Sequence, residues 1–396
     1  MPPKRARGLK AAASSKKQKT EESPAPVVDQ DIPIEQTGDD EQTVMLSKEV
    51  AEDDEQGQLA VLFETAIEKL RGTDPATALP LLYGTIHECD RMLRAAYSDE
   101  SNPTPLPADF HRIYASALLE LSALIDEQDE ENGEAAYVEA AIERADMGLE
   151  VEGREEGEER GLKYVRGRGW LRKAQILWSK AEEEPDVNAL TQIIETGMKD
   201  LDAVDLTALE KEEKQIFVAL DTVREFVEIT SEGREKLEWV EKKWTEILEA
   251  QQENASAHHG YGAVQLTIVG SILEKIEDEL DQDDEDEDED DDEEDEENQG
   301  EDYIKARNVL QKAVDSFTKA LELTRARKES IGELLQLIAE AKMSYSEVTV
   351  GEKQERLYQE AIESLREARE EAGGVLPEKF QEILDGEEEE GEDEEE

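Results

Sequence analysis

The sequence predicts an all-α protein: an irregular helical-hairpin, tetratricopeptide-like solenoid with a disordered charged N-terminal tail, an acidic internal linker and an acidic C-terminal tail. Three observations carry this expectation. Apolar residues recur at steps of three and four along most of the chain, and no segment sustains the alternation of a half-buried strand. Of the 396 residues 38% are charged and 5% aromatic, which argues against a large sheet core. Charge is gathered into blocks that separate the periodic segments.

Residues 1–56 are rich in Pro, Ser, Lys, Glu, Asp and Gln without periodicity, the composition of a disordered tail. Its first nineteen residues hold Lys4, Arg5, Arg7, Lys10, Lys16, Lys17 and Lys19 and no acid. The two clusters, Lys4, Arg5 and Arg7 and then Lys16, Lys17 and Lys19, have the spacing of a two-part nuclear import signal; a generic basic tail that contacts RNA or an acidic surface is the competing reading.

Residues 57–281 read as a helical repeat domain. Its most legible hairpin runs from Ala76 to Leu121. Leu82, Ile86, Cys89 and Leu93 mark one apolar face, and Phe110, Ile113, Ala117, Leu118 and Leu121 mark a second. Pro103, Pro105 and Pro107 forbid one continuous helix, so the halves fold back on each other. Thr73 and Asp74 stand as candidate caps before Pro75. Further helices are expected over 136–149, 162–181, 187–201, 209–229, 237–250 and 257–280, with a loop spanning the glycines at 148, 153, 157 and 161.

Residues 282–301 form the acidic linker, with 15 consecutive acids from Asp283 to Glu297. Neighbouring charges there lie within the roughly 8 Å screening length at physiological salt, so the run repels itself and buries nothing. Residues 302–385 resume as C-terminal hairpins packing on the same scaffold, with helices over 303–327, 331–348, 352–372 and 378–384, and residues 386–396 form an acidic tail. Ala313, Phe317 and Ala320 are echoed by Ala361, Leu365 and Ala368, the small-large-small order of a second tetratricopeptide helix.

The string Ile86-His87-Glu88-Cys89-Asp90-Arg91-Met92-Leu93-Arg94, with Phe110-His111-Arg112-Ile113-Tyr114-Ala115 and Ala117-Leu118-Leu119-Glu120-Leu121, resembles the signature of the fungal enhancer of translation termination family. Ala140 to Ala145 with Gly148-Leu149, and Glu378 to Asp385, are similar to family segments in the same order. The resemblance implies a nuclear, non-catalytic factor that promotes accurate stop-codon termination and is linked to gene and transcription regulation. It implies protein partners, among them a prolyl-hydroxylase-type termination factor; ribosome-associated basic proteins are a second class, suggested by the run of acids from Asp283 to Glu297.

Composition alone limits the other functions. The net charge is −61, and removing the 31 acids of Glu277–Asp302 and Asp385–Glu396 leaves −30. An acidic body argues against direct nucleic-acid binding, which needs clustered Lys and Arg, and against a membrane surface. Cys89 is the single cysteine, so neither an internal disulfide nor a cysteine-based metal cage is expected. No metal or cofactor is predicted, because His87, Glu88, Cys89 and Asp90 are consecutive helix residues that point about 100° apart. No nucleophile elbow, phosphate loop or catalytic acid-base pair is evident.

Two candidate interaction sites remain. His87, Asp90, Arg91 and Arg94, with His111 nearby, form a candidate partner face beside the apolar stripe. Arg154, Arg160, Lys163, Arg166, Arg168, Arg172 and Lys173 form a basic cluster interleaved with Tyr164 and Trp170, which suits either an acidic ligand or neutralisation of neighbouring glutamates. The runner-up function is an acidic chaperone for histones or ribosomal proteins, using Asp283 to Glu297.

Overall fold

The computed structural model describes residues 51, 54–72, 75–98, 104–125, 133–181, 185–209, 213–230, 233–283 and 300–393. The basic clusters at 4–19 and most of the acidic run lie outside the described residues, as do Thr73 and Asp74. The described residues, from 51 to 393, belong to one compact unit.

Among the described residues there are thirteen α-helices and no strand. They are α1 (Glu55–Leu70), α2 (Leu79–Ala96), α3 (Ala108–Ser122), α4 (Glu134–Glu150), α5 (Glu156–Ser179), α6 (Val187–Asp202) and α7 (Glu213–Thr230). There follow α8 (Arg234–Ala250), α9 (Ala255–Asp283), α10 (Glu301–Arg327), α11 (Gly332–Glu347), α12 (Glu352–Glu371) and α13 (Glu378–Asp393). Short 3₁₀ turns at Pro75–Ala78 and Leu206–Ala208 precede α2 and α7.

Local chemistry fixes many of the ends. Asp54, Asp186 and Asn254 accept hydrogen bonds from orphan backbone N–H groups at the starts of α1, α6 and α9. Glu158 reaches back to the Glu155 N–H at 2.7 Å at the start of α5. Gly233 and Gly351, at φ 91° and 69°, make the left-handed turns inside the α7–α8 and α11–α12 hairpins that a side chain would strain.

Each odd helix pairs with the even helix that follows it, from α1–α2 to α11–α12, and α13 rests on α12. The odd helices also touch one another in succession, α1 to α3, α3 to α5, α5 to α7 and α7 to α9, and so form an inner row. This is the architecture of a helical-hairpin solenoid, in which each unit buries its apolar face against its neighbours. The long helix α9 joins the two ends of the array. Its Val264 belongs to the core of α1–α8, Ala263 and Leu266 pack on the core of α10–α13, and Val269 and Ile276 lie in a third cluster with Leu310 and Tyr345. The two small-large-small runs are fully buried on α10 and α12, both second helices of their hairpins.

Several boundaries differ from the expected ones. α5 begins at Glu156, so the turn after α4 is short, and Gly148, Gly157 and Gly161 are helical. Gly148 is close-packed: a Cβ there would lie 2.6 Å from Leu162 and 2.8 Å from His111. α9 runs to Asp283 and α10 begins at Glu301, trimming both ends of the acidic segment. The last helix continues beyond Leu384 to Asp393, because glutamate is a good helix former and no proline interrupts it. On α2 the core side chain near the C-terminus is Met92, with Leu93 only half-buried.

Candidate functional site

The expected face on α2 is split by the fold. His87, Arg91 and Arg94 are exposed. Arg91 donates from Nε and Nη2 to the Glu88 carboxylate at 2.9 and 2.7 Å, and Nη2 also lies 3.1 Å from Glu55 on α1. Asp90 instead turns inward and accepts a short hydrogen bond from the Tyr114 hydroxyl on α3. Burial, then the bond to Asp90, pushes the Tyr114 hydroxyl well above its ordinary range. The Arg144 guanidinium of α4 sits 4.9 Å over the Tyr114 ring. Three of the strings that carry the resemblance thus meet at one partly buried polar contact, through Asp90, Tyr114 and Arg144.

His111 does not belong to that face. It is 5% exposed, edge-on to Phe110 with centroids 5.3 Å apart, and its Nδ1 is buried without a hydrogen-bond partner. Burial and the nearby Arg144 charge lower its pKa to about 4, so at neutral pH it is an uncharged core ring. The residue sits on the side of α3 that packs on α4 and α5, beside Gly148 and Leu162.

Most of the basic cluster around α5 is taken up by contacts within the fold. Arg166 forks onto Asp200 of α6 and lies 2.5 Å from Asp146 of α4. Arg168 meets Glu120 of α3 at 2.7 Å, Arg172 pairs with Glu134 of α4, and Lys173 lies 3.0 Å from Glu139 of α4. Lys163 and Arg154 pair with Glu159, and Arg160 with Glu156. Trp170 stacks under Lys173. Pairing with the buried Glu120, Glu134 and Asp200 accounts for Arg168, Arg172 and Arg166, while Arg160 stays at the surface, and α5 is the strut to which α3, α4 and α6 are tied.

A cleft of about 340 Å³ opens on the inner row, walled by α7 and α11 and floored by α9. Phe217, Asp221, Arg224 and Glu228 line it from α7, His259, Ala263 and Leu266 from α9, and Glu333, Leu337 and Glu340 from α11. Arg224 donates to Asp221 at 2.6 Å and also bonds Glu228, which accepts from Thr267 at 2.5 Å. The His259 ring lies 5.1 Å from Phe217, and burial lowers its pKa. The sequence reading passed over these residues. Their signal is a carboxylate spacing of seven, Asp221 with Glu228 and Glu333 with Glu340, which by itself looks like two solvated helix faces. Among the described residues no cluster of three or more His, Cys, Asp or Glu is placed to hold a metal, and no helix is long and apolar enough to cross a membrane.

The array of hairpins, its inner row of odd helices and its cleft define a helical-hairpin solenoid. The family model described as nuclear pore complex subunit Nro1 matches residues 1–217, more than half of the chain. The chain belongs to this Nro1 family. It is 27% identical over 369 residues to Enhancer of translation termination 1 of Yarrowia lipolytica, covering 86% of this chain and 88% of that protein. It is 35% identical over 209 residues to Negative regulator of ofd1 of Schizosaccharomyces pombe, covering 48% of this chain and about half (51%) of the relative. The crystal structure of the S. pombe nuclear import adaptor Nro1 shares the fold, with a TM-score of 0.58 at 23% identity over 85% of this chain and 99% of that one.

Proposed function

We infer that this chain acts in the nucleus as a non-catalytic helical adaptor that promotes accurate translation termination by engaging protein partners. The observation that carries the reading is the similarity, over 86% of this chain, to a protein named as an enhancer of translation termination. The interlocked α5 supports it, since a scaffold needs a rigid frame. Its partners on this reading are a prolyl-hydroxylase-type termination factor or ribosome-associated basic proteins, and the exposed His87, Arg91 and Arg94 of α2 offer one contact surface. The link to transcription regulation follows from the same family reading. The basic residues 4–19 serve import, and a relative described as a nuclear import adaptor extends this to carrying a partner.

The test is complementation. In a Yarrowia lipolytica strain lacking its own relative, readthrough of a stop codon between two luciferases is expected to rise, and this chain is expected to restore it from the nucleus. A chain that is expressed and nuclear yet leaves readthrough raised overturns the reading. The second reading, an acidic chaperone, is favoured by the uninterrupted acids 283–297. It prevails if deleting them abolishes binding of histones or ribosomal proteins while readthrough stays normal.

A further inference from the structure

We propose that the cleft between α7 and α11 is a docking groove for an amphipathic partner helix that carries lysine or arginine two turns apart. The inference deepens the adaptor reading by naming a site and a partner chemistry. The groove lies almost wholly beyond residues 1–217, where the family model matches.

Shape indicates a helix. The α7 wall extends from Phe217 to Glu228 and the α11 wall from Glu333 to Glu340. At 1.5 Å rise per residue these walls are about 16 and 10 Å long, the length of two to three helical turns. The inner row is continuous from α1 to α9, and the cleft falls where α11 stands across α9 from α7. A ligand helix lying there continues the row. The floor is apolar, made by Ala263 and Leu266 with Phe217 and Leu337 at the sides, and the half-buried His259 ring lies 5.1 Å from Phe217. Laying an apolar stripe into such a groove is the ordinary mode of helix recognition.

Charge indicates the sign. Four carboxylates and one guanidinium line the cleft, and Lys379 reaches Glu340 at 3.0 Å from the rim. Arg224 is committed to Asp221 and Glu228 on the α7 wall. Glu333 is exposed and faces His259. On each wall the acids are seven residues apart, about 10 Å along the axis. With the α7 acids held by Arg224, basic side chains at the same separation on a ligand helix meet Glu333 and Glu340 of the α11 wall, the second in exchange for the exposed Lys379, while its apolar residues between them reach the floor. A partly desolvated groove strengthens such pairs over their value on open surface.

The experiment uses the full chain and a fluorescent alanine-rich helical peptide with two lysines seven positions apart and leucines between. A peptide of identical composition with the lysines five apart, on opposite faces, is the register control. We expect the first peptide to bind at least about tenfold tighter. E333Q/E340Q is expected to abolish that preference, and E363Q/E370Q, on the exposed side of α12, to preserve it. Equal binding of both peptides, or a preference untouched by E333Q/E340Q, overturns the proposal. So does a concentration-dependent dimer that E333Q/E340Q dissolves in sedimentation, which assigns the groove to a second copy. Tighter peptide binding by K16A/K17A/K19A, lost again in E333Q/E340Q, overturns it by assigning the groove to the chain's own basic residues. A groove variant that binds no peptide but still restores termination leaves the adaptor reading standing, and sinks this inference alone.

Discussion

Arg166 on α5 holds Asp200 on α6 through two parallel bonds, Nε and Nη2 each donating to a carboxylate oxygen at 2.7 Å. Asp200 is 5% exposed, and Gly167 beside the arginine lets α6 approach until a Cβ there would stand 3.0 Å from the Gly197 carbonyl oxygen. The ion pair and the glycine contact work together. Close approach removes water from Asp200, and the guanidinium supplies the charge that a dry carboxylate requires.

Arg166→Ala is therefore expected to destabilise by about 3–5 kcal/mol, because Asp200 is left buried without a counter-charge. The paired replacement Arg166→Met with Asp200→Leu is expected to recover most of that loss. Urea unfolding of the two variants checks this. Equal losses would assign the cost to packing instead of charge.

Two glycines of α9 are expected to respond in opposite directions to alanine. At Gly260 a Cβ would lie 2.4 Å from the Trp244 ring, so Gly260→Ala forces the indole to move and costs about 1–3 kcal/mol. Gly270 is exposed with nothing within 4 Å, so Gly270→Ala gains helix propensity worth up to about 1 kcal/mol. Thermal midpoints moving the same way in both variants would contradict this packing.

Leu118 and Leu93 separate a core stripe from its margin. Leu118 is 4% exposed in the α1–α8 core, and Leu118→Ala is expected to cost about 2–5 kcal/mol through lost transfer energy and a cavity. Leu93 packs against that core only in part, so Leu93→Ala is expected to cost clearly less, with Met92→Ala now the more damaging change on α2. Denaturant midpoints of the three variants give the order directly.

The helices were legible because every hairpin buries a stripe at three-to-four spacing, which the sequence displays at Leu82, Ile86 and Cys89 or at Ile216, Leu220 and Val223. Glycine misled the reading between α4 and α5, since Gly148 and Gly161 signal turns by composition but serve close contact with Leu162 and Arg112. The α5 cations looked equally suited to a ligand and to internal pairing; their partners Glu120, Glu134 and Asp200 come from three other helices, and only the packing brings them together. The cleft was invisible for the same reason. Its two acidic walls are far apart in the chain, and each alone looks like a wetted surface.

The last prediction follows from His111. Its pKa is about 4 in the folded chain against an ordinary 6.5, lowered first by burial and then by Arg144. The unfolded chain therefore binds a proton at a pH where the folded chain does not. The neutral ring contributes its full stability above pH 6.5, and that contribution is lost as pH falls through 6.5 toward 4. Each pH unit within this window is worth about 1.4 kcal/mol, so acidification from pH 6.5 to 5 is expected to cost about 2 kcal/mol through this residue. His259 shifts in the same direction and adds to the total. Comparing wild type with His111→Gln isolates the one group, because His259 and the carboxylates are common to both. Urea unfolding at pH 7 and pH 5 is expected to show a smaller loss for H111Q, by about 2 kcal/mol. Equal losses in the two proteins would mean that His111 takes up its proton within the fold, and that the contact of α3 with α4 and α5 opens to water on acidification.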